Sequence, residues 1–193
     1  MMDINDLFNK LTNIETNRFL LREIRDEDYK EIFDIYSKDE VLKYQNMVPM
    51  KNLDEAVEYV NFISEGYKNK RFIRWGIAGK EDDRVIGLVA LHHIESGNSK
   101  VSIGYILNKR FWRQKIMSEV MDVIVDFVFN ELNLNRIEAS IHPDNSASIK
   151  LCEKLGFKKE GLKAECIFNK NTNIFEDRLM YGMIKKNYQQ NKE

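Results

Sequence analysis

Three strand-like runs follow one another in the middle of this chain: FIRWGIAG (72–79), RVIGLVALHHI (84–94) and KVSIGYIL (100–107). Only short polar links, centred on EDD and ESGNS, separate them. A parallel connection needs a crossover of about a dozen residues or more, so links this short permit only antiparallel hairpins. The centre of the fold must therefore be an antiparallel meander, and the rest of the chain must pack on it.

The flanks supply that packing. Residues 18–24 (RFLLREI) alternate apolar and polar and read as a half-buried strand. Asp26 is placed to cap a helix over DEDYKEIFDIYS, where Tyr29, Ile32, Phe33 and Tyr36 recur at helical spacing. Residues 53–68 form a second amphipathic helix with Ala56, Val57, Val60 and Ile63 inward. After the meander, NKRFWRQKIMS leads into a helix over about residues 115–131. Its buried stripe is Ile116, Val120, Ile124 and Phe127, opposite Glu119, Asp122, Asp126 and Asn130. A strand at 136–142 follows, then a short helix capped by Asn145 or Asp144 and ended by Gly156. Residues 157–169 and 174–184 close as a strand pair. The expected fold is α/β: a mixed, mostly antiparallel sheet of six or seven strands with helices on both faces.

Composition narrows the partners. The 193 residues fit a single domain spanning 1–193, and 43% hydrophobic with 32% charged residues suits a folded soluble chain. Thirty basic against 31 acidic residues give a net charge of −1, which offers nucleic acid no electrostatic footprint. Apolar runs are far short of the ~20 residues that cross a bilayer. The start, MMDINDLFNKL, lacks the apolar stretch of a secretory signal. Cys152 and Cys166 have neither metal-site nor disulfide-framework spacing. The expected location is the cytoplasm, without membrane or nucleic-acid partner.

Hydrolase and nucleotide-loop signatures are missing: there is no G-x-S-x-G, no Walker loop and no G-x-G-x-x-G. His92 and His93 are adjacent on a strand, an arrangement that sends side chains to opposite faces and keeps them from holding one ion. No metal site is expected. Two segments remain. In the first, Leu107–Lys115, Lys109, Arg110, Arg113 and Lys115 crowd a strand end that runs into a helix start, where exposed N–H groups suit phosphate. Such a cluster is equally a solvated basic loop. The second, HPDNSAS with LGF, is by itself a well-capped helix.

In this order and spacing the segments resemble the GNAT superfamily of acyl-CoA transferases, and more narrowly its branch that acetylates ribosomal-protein N-termini and related amines. The resemblance begins at TNRFLLREIRDEDYKEIFDIYSKDEVLKY. It continues through IGYIL, FWRQKIMSEV and NRIEASIHPDNSASIKLCEKLGFKKEG, and ends at EDRLMYGMI.

The resemblance implies a splay between the fourth and fifth strands, 100–107 and 136–142, that receives acetyl-CoA. It puts pantetheine on the backbone of Ile106 and Leu107. The diphosphate falls to the loop and helix start Arg113, Gln114, Lys115, Ile116, Met117 and Ser118. Asn145 matches the asparagine beside the thioester, and Ser148 the serine that protonates the departing thiolate. Cys152 occupies the place where other relatives carry a tyrosine acid. Glu165 matches a glutamate near the acceptor pocket and is the candidate base, with Glu138 as another option; Ser102 stands where relatives often have a glutamate. The loop departs from its pattern, because Lys115 replaces the key glycine, Met117 the Gly/Ala, and Arg113 the branch's first glycine. Side chains there crowd an approaching diphosphate, while the new cations attract it. The implied activity is acetyl transfer from acetyl-CoA to a primary amine, on a protein N-terminus or a small molecule; a homodimer is compatible with it. The altered loop leaves a second reading, a non-catalytic GNAT-fold binding or regulatory protein.

Overall fold

The computed structural model describes residues 4–190. The chain runs through α1 (Ile4–Leu7), β1 (Ile14–Glu15), β2 (Phe19–Arg22), α2 (Tyr29–Tyr36), α3 (Asp39–Leu42), α4 (Leu53–Lys68) and the meander β3 (Phe72–Gly79), β4 (Val85–Glu95) and β5 (Lys100–Leu107). It continues with α5 (Ile116–Asp126), β6 (Arg136–Ile141), α6 (Ser146–Leu155), β7 (Lys158–Asn169), β8 (Ile174–Ile184) and α7 (Lys185–Gln190). The eight strands form one sheet in the order β1-β2-β3-β4-β5-β6-β8-β7. Only the β5–β6 pairing is parallel. The strand beyond the expected seven is β1, whose two residues are too few to show a period.

Alternation along the strands divides the core between two faces. Ile73, Trp75, Val101, Ile103, Ile137 and Tyr181 are buried on one face with Val120, Met121 and Ile124 of α5 and Cys152 of α6. Ala78, Leu88 and Ile106 are buried on the other with Ile32 and Ile35 of α2, Leu42 of α3, and Ala56, Val60 and Ile63 of α4. Within α4, Val57 is exposed and Gly66 is buried in its place, against the ring of Phe72. The inward stripe thus drifts one turn further along the helix than the sequence suggests. The expected 115–131 helix is α5 followed by one wide π-helical turn over Phe127–Glu131, where the Leu132 N–H donates to the Phe127 carbonyl at 3.0 Å.

Capping also differs in detail. Asp26 opens a 3₁₀ turn over residues 26–28 without capping it; Asp28 folds back instead to accept from the Arg25 N–H at 2.7 Å. Asp28 does more than cap. Arg22 on β2 is 3% exposed and donates to both Asp28 carboxylate oxygens, at 2.8 and 2.9 Å. Its Nε reaches Asp83 in the β3–β4 turn at 2.6 Å. The guanidinium therefore ties the start of α2 to two neighbouring strands and fixes that layer over the sheet. Removing one partner of a buried ion pair costs about 3–5 kcal/mol, because the other charge stays buried. Asp28→Ala should lower unfolding free energy in urea by that amount, whereas Glu27→Ala, one residue away and exposed, should change it by less than about 0.5 kcal/mol.

Candidate active site

The sheet opens in its middle. Parallel pairing of β5 with β6 covers only Lys100–Arg136, Val101–Ile137 and Ser102–Glu138. β5 then continues to Leu107 along β4, while β6 continues to Ile141 along β8. Past Ser102 the two strands diverge into a fork. The Asn108 N–H donates to the Ile86 carbonyl at 2.9 Å, which sets the alternation along β5. Asn108, Ile106 and Gly104 turn their backbone groups to β4; Leu107, Tyr105 and Ile103 turn theirs into the fork. Ile106, expected to offer its backbone there, instead pairs with Leu88 and buries its side chain under the helices. Tyr105 and the Leu107 N–H hold the free edge; the Leu107 carbonyl is taken by Trp112 Nε1 at 2.8 Å.

At the open end of β5 the chain turns into α5. Lys109 pairs with Glu40 at 2.6 Å and Arg110 lies 3.6 Å from Asp34, so half of the basic cluster is neutralised by the helices across the loop. Among the described residues, no carboxylate pairs with Arg113 or Lys115, and both are exposed. Both also have left-handed backbones, with φ of 61° at Arg113 and 59° at Lys115. The chain thus keeps a glycine-like path through the loop although neither residue is glycine. Lys115 stands at the N-cap of α5 and its side chain caps nothing, which leaves the amides of Ile116, Met117 and Ser118 as the first of the helix. The loop is pinned from outside. Arg18 donates to the Gln114 carbonyl at 3.2 Å and to Glu119 at 2.7 Å, and Trp112 Nε1 donates to the Leu107 carbonyl at 2.8 Å.

Across the fork, β6 ends and α6 begins. Asn145 is its N-cap, with Oδ1 accepting from the Ser148 N–H at 3.2 Å; Gly156 ends it at φ 96°. Ser148 lies one turn before Cys152 on this helix, and both are close to the Tyr105 phenol. The Tyr105 hydroxyl is shut off from solvent and has no partner in good hydrogen-bond geometry. Burial, and then the neighbouring Cys152, push that phenol well above its ordinary range, while the Ser148 hydroxyl draws it back. Burial also pushes the Cys152 thiol up to about 12. Cys152 is 1% exposed and sits in the core as a small apolar side chain. Tyr105 was not singled out by sequence, although strand alternation in KVSIGYIL puts it beside Ile103, on the α6 side.

The other face of the fork is an open floor. Arg74, Ala90, His92, Ser102, Gly104, Glu138 and Ser140 are half-buried or exposed there, while Ile73, Leu91, Ile103 and Ala139 beside them are buried. Glu138 lies at the crotch of the fork, held by Arg136 at 2.8 Å and Lys100 at 3.8 Å. Glu165 lies elsewhere. It is exposed on a bulge of β7, the outermost strand, and its N–H donates to Asp177 at 2.8 Å. β8 stands between β7 and β6 in the sheet, so Glu165 is two strands removed from the β6 edge of the fork. The histidines also correct the sequence reading. A bulge after His92, with His93 at φ 47°, swings the second ring back until the two Nδ1 atoms are 3.2 Å apart. Burial, then His93 and Arg74, hold His92 down at about 4, so it is neutral at pH 7. No group of three or more metal-ligating side chains occurs among the described residues.

These features fit an elongated acyl thioester ending in a diphosphate. The unpaired strand edge matches an amide-containing arm, and the helix start with two unpaired cations matches the anion. Comparison with known proteins agrees. The acetyltransferase (GNAT) domain description matches residues 18–158. An uncharacterized N-acetyltransferase of Bacillus subtilis, YoaA, is 34% identical over 172 residues, covering 89% of this chain and 96% of its own. The ribosomal protein uS5-alanine N-acetyltransferase of Escherichia coli is 22% identical over 156 residues, 77% of this chain and 79% of its own. The fold is shared with the Microcin C7 self-immunity acetyltransferase MccE, solved with acetyl-CoA and AMP (TM-score 0.77, 16% identity, 87% and 93% of the two chains).

The left-handed loop residues give a direct test. A side chain in that conformation costs roughly 1–2 kcal/mol, which glycine avoids while giving part back through a looser unfolded chain. Lys115→Gly should raise stability in urea by up to about 1 kcal/mol. Lys115→Ala, which drops the charge and keeps the strain, should change it by less than about 0.5 kcal/mol. Equal stabilities for the two variants would contradict strain at this position.

Proposed function

As a member of the GNAT acetyltransferase family the chain is an acetyl-CoA-dependent N-acetyltransferase, and we propose that its acceptor is a primary amine, on a protein N-terminus or a small molecule, presented at the fork from the open floor of the sheet. The observation that carries this reading is the fork itself, bordered on the α5–α6 side by a helix start whose side chains leave its amides uncapped and on the other side by a polar, half-exposed floor.

Each residue has a part in it. Leu107 and Tyr105 offer backbone to the pantetheine arm, and the amides of Ile116, Met117 and Ser118 face the diphosphate, with Arg113 and Lys115 adding charge and Gln114 completing the loop. Acetyl-CoA, when bound, supplies the acetyl group as an activated thioester. Backbone N–H groups on the free edge of β5 are fixed donors for its carbonyl oxygen, and being fixed they need no reorganisation during reaction. Asn145 holds the first turn of α6, which sets Ser148 facing the fork. Ser148 Oγ carries the proton for the leaving sulfur, with the buried Tyr105 hydroxyl close behind it. On the acceptor side His92, uncharged at neutral pH, borders the path by which the ammonium proton leaves to water. Glu138, engaged by two cations, shapes that exit, and Glu165 takes no direct part.

A non-catalytic protein would be favoured by a loop closed against the diphosphate. The left-handed backbone at Arg113 and Lys115 supports an open loop instead, since the chain keeps a glycine-like path and both side chains are exposed.

Acetyl transfer from acetyl-CoA to an alanine-initiated peptide and to a panel of small amines, read by product mass, tests the reading; no acetylated product from any of them at millimolar acetyl-CoA would sink it. Ser148→Ala should lower turnover by about 10²-fold or more, the scale of a lost general acid. Its acetyl-CoA affinity should stay near wild type, and Cys152→Ala should lose stability rather than rate. Normal turnover in Ser148→Ala alongside an inactive Cys152→Ala would reverse the assignment. In titration calorimetry, wild-type affinity for acetyl-CoA should fall as salt rises, since screening acts over about 10 Å at 0.1 M. The double variant Arg113→Ala/Lys115→Ala should bind more weakly and respond less to salt; an unchanged salt response would remove these cations from the site.

A further inference from the structure

Among the described residues, no carboxylate serves as counter-ion to Arg74 on the floor of the fork. Its row across the sheet is set by register: Arg74 on β3 faces Ala90 on β4, which faces Gly104 on β5. Two strand spacings of about 4.8 Å put Arg74 about 10 Å from the fork edge. The two residues between carry a methyl group and a hydrogen, so the row is a trough. A Cβ on Gly104 would lie 3.4 Å from His92 Nε2, which makes that ring the trough's wall.

The guanidinium is half-buried and caged by aromatics, 4.6 Å from the Phe72 ring centroid, 5.5 Å from Tyr59 and 5.9 Å from Phe62. It donates through Nη1 to the Tyr59 hydroxyl, which donates in turn to Tyr36 at 3.0 Å. Its Nε is buried without a partner, and no carboxylate of the described residues pairs with it. Other half-buried or buried arginines do have such partners: Arg22 has Asp28, Arg136 has Glu138 and Glu160, and Arg178 has Glu176. Aromatic faces hold a cation but do not accept its in-plane N–H fork, which matches a carboxylate or phosphate two bonds at a time. An arginine oriented by a cage, with Nη2 bonded to no side chain or carbonyl of the described residues, at the end of a trough that leads to the acetyl-transfer site, is built to meet an anion brought by the substrate.

We propose that Arg74 reads the acceptor: the amine that is acetylated also carries an anionic group, a carboxylate or a phosphate, which docks on Arg74 while the amine lies at Gly104. The span agrees with a small molecule, since a dipeptide at about 3.5 Å per residue reaches about 7 Å and the arginine side chain covers the remainder. This inference rests on the acetyltransferase reading for its position but not for its test.

The test uses two matched pairs of acceptors. One is alanyl-alanine against its C-terminal amide; the other is 2-aminoethyl phosphate against ethanolamine. Wild-type kcat/KM should favour the anionic member of at least one pair by about tenfold to a hundredfold, the scale of a charge-assisted hydrogen bond. Which pair shows the preference identifies the anion. Arg74→Gln should abolish the preference by slowing the anionic member only, and leave acetyl-CoA affinity unchanged; Arg74→Lys should recover part of it. A second arm needs no turnover: the wild-type protein is titrated with N-acetyl-alanyl-alanine, with its amide and with inorganic phosphate, while the His92 ring signals are followed by NMR. An anion on Arg74 should shift them, and the amide should not. If no member of either pair is acetylated but the anions still shift His92, the anion site stands and the activity reading falls. Equal rates within both pairs, a preference that survives in folded Arg74→Gln, or His92 signals indifferent to every anion would overturn the proposal.

Discussion

β-Sheets do not readily stop pairing in their interior, because every unpaired backbone N–H and C=O out of water must find another partner. Here β5 and β6 pair for three residues and then separate, and the rest of the site follows from that parting. The outer halves of the two strands stay in the sheet through β4 and β8, so the fork is rigid although it is open. Its free edge on β5 is a ready template for an amide-bearing ligand. The helices complete it. α5 brings its first amides to the mouth, α6 brings Ser148 beside Tyr105 on β5, and the ion pair of Arg22 with Asp28 ties the start of α2 to β2.

The loop at the mouth shows a conflict between stability and binding settled at the level of single residues. Two long basic side chains occupy left-handed positions, each costing roughly 1–2 kcal/mol relative to a relaxed backbone. Such strain persists where the surroundings over-determine it, and here Arg18, itself held by Glu119, ties down the Gln114 carbonyl while Trp112 Nε1 ties the loop back to Leu107. What the chain gains is positive charge at the start of α5 without a change in backbone path. Lys109 and Arg110, equally basic in sequence, contribute nothing of the kind, since Glu40 and Asp34 already neutralise them.

Much of this was legible in the sequence because it rests on short-range rules. Turn lengths dictated the meander, and helical spacing located α4 to the residue. The Asn145 cap and Gly156 stop bounded α6. The failures share a cause, which is that tertiary geometry overrode a local pattern. His92 and His93 face each other because a bulge breaks the two-residue period that strand reasoning assumes. Ile106 turns away from the fork because the hydrogen-bonding phase of β5 is set by β4. Glu165 matched a motif, but sheet order, which no motif contains, left it on the outer strand. Arg74 lies in none of the segments that carry the resemblance, and Tyr105 lies in one, IGYIL, without a role attached to it. What marks them is a missing partner in a crowded place, and an absent bond is not written in sequence.

The central claim is that the fork edge and the α5 helix start together hold acetyl-CoA. Residue-resolved amide hydrogen exchange, with and without saturating acetyl-CoA, tests it most directly. The account predicts that amides of Tyr105 and Leu107 on β5, and of Ile116, Met117 and Ser118 at the start of α5, become protected together, while those of Glu165 and its neighbours on β7 do not change. Binding that protects neither group, or that protects β7 in their place, would contradict it.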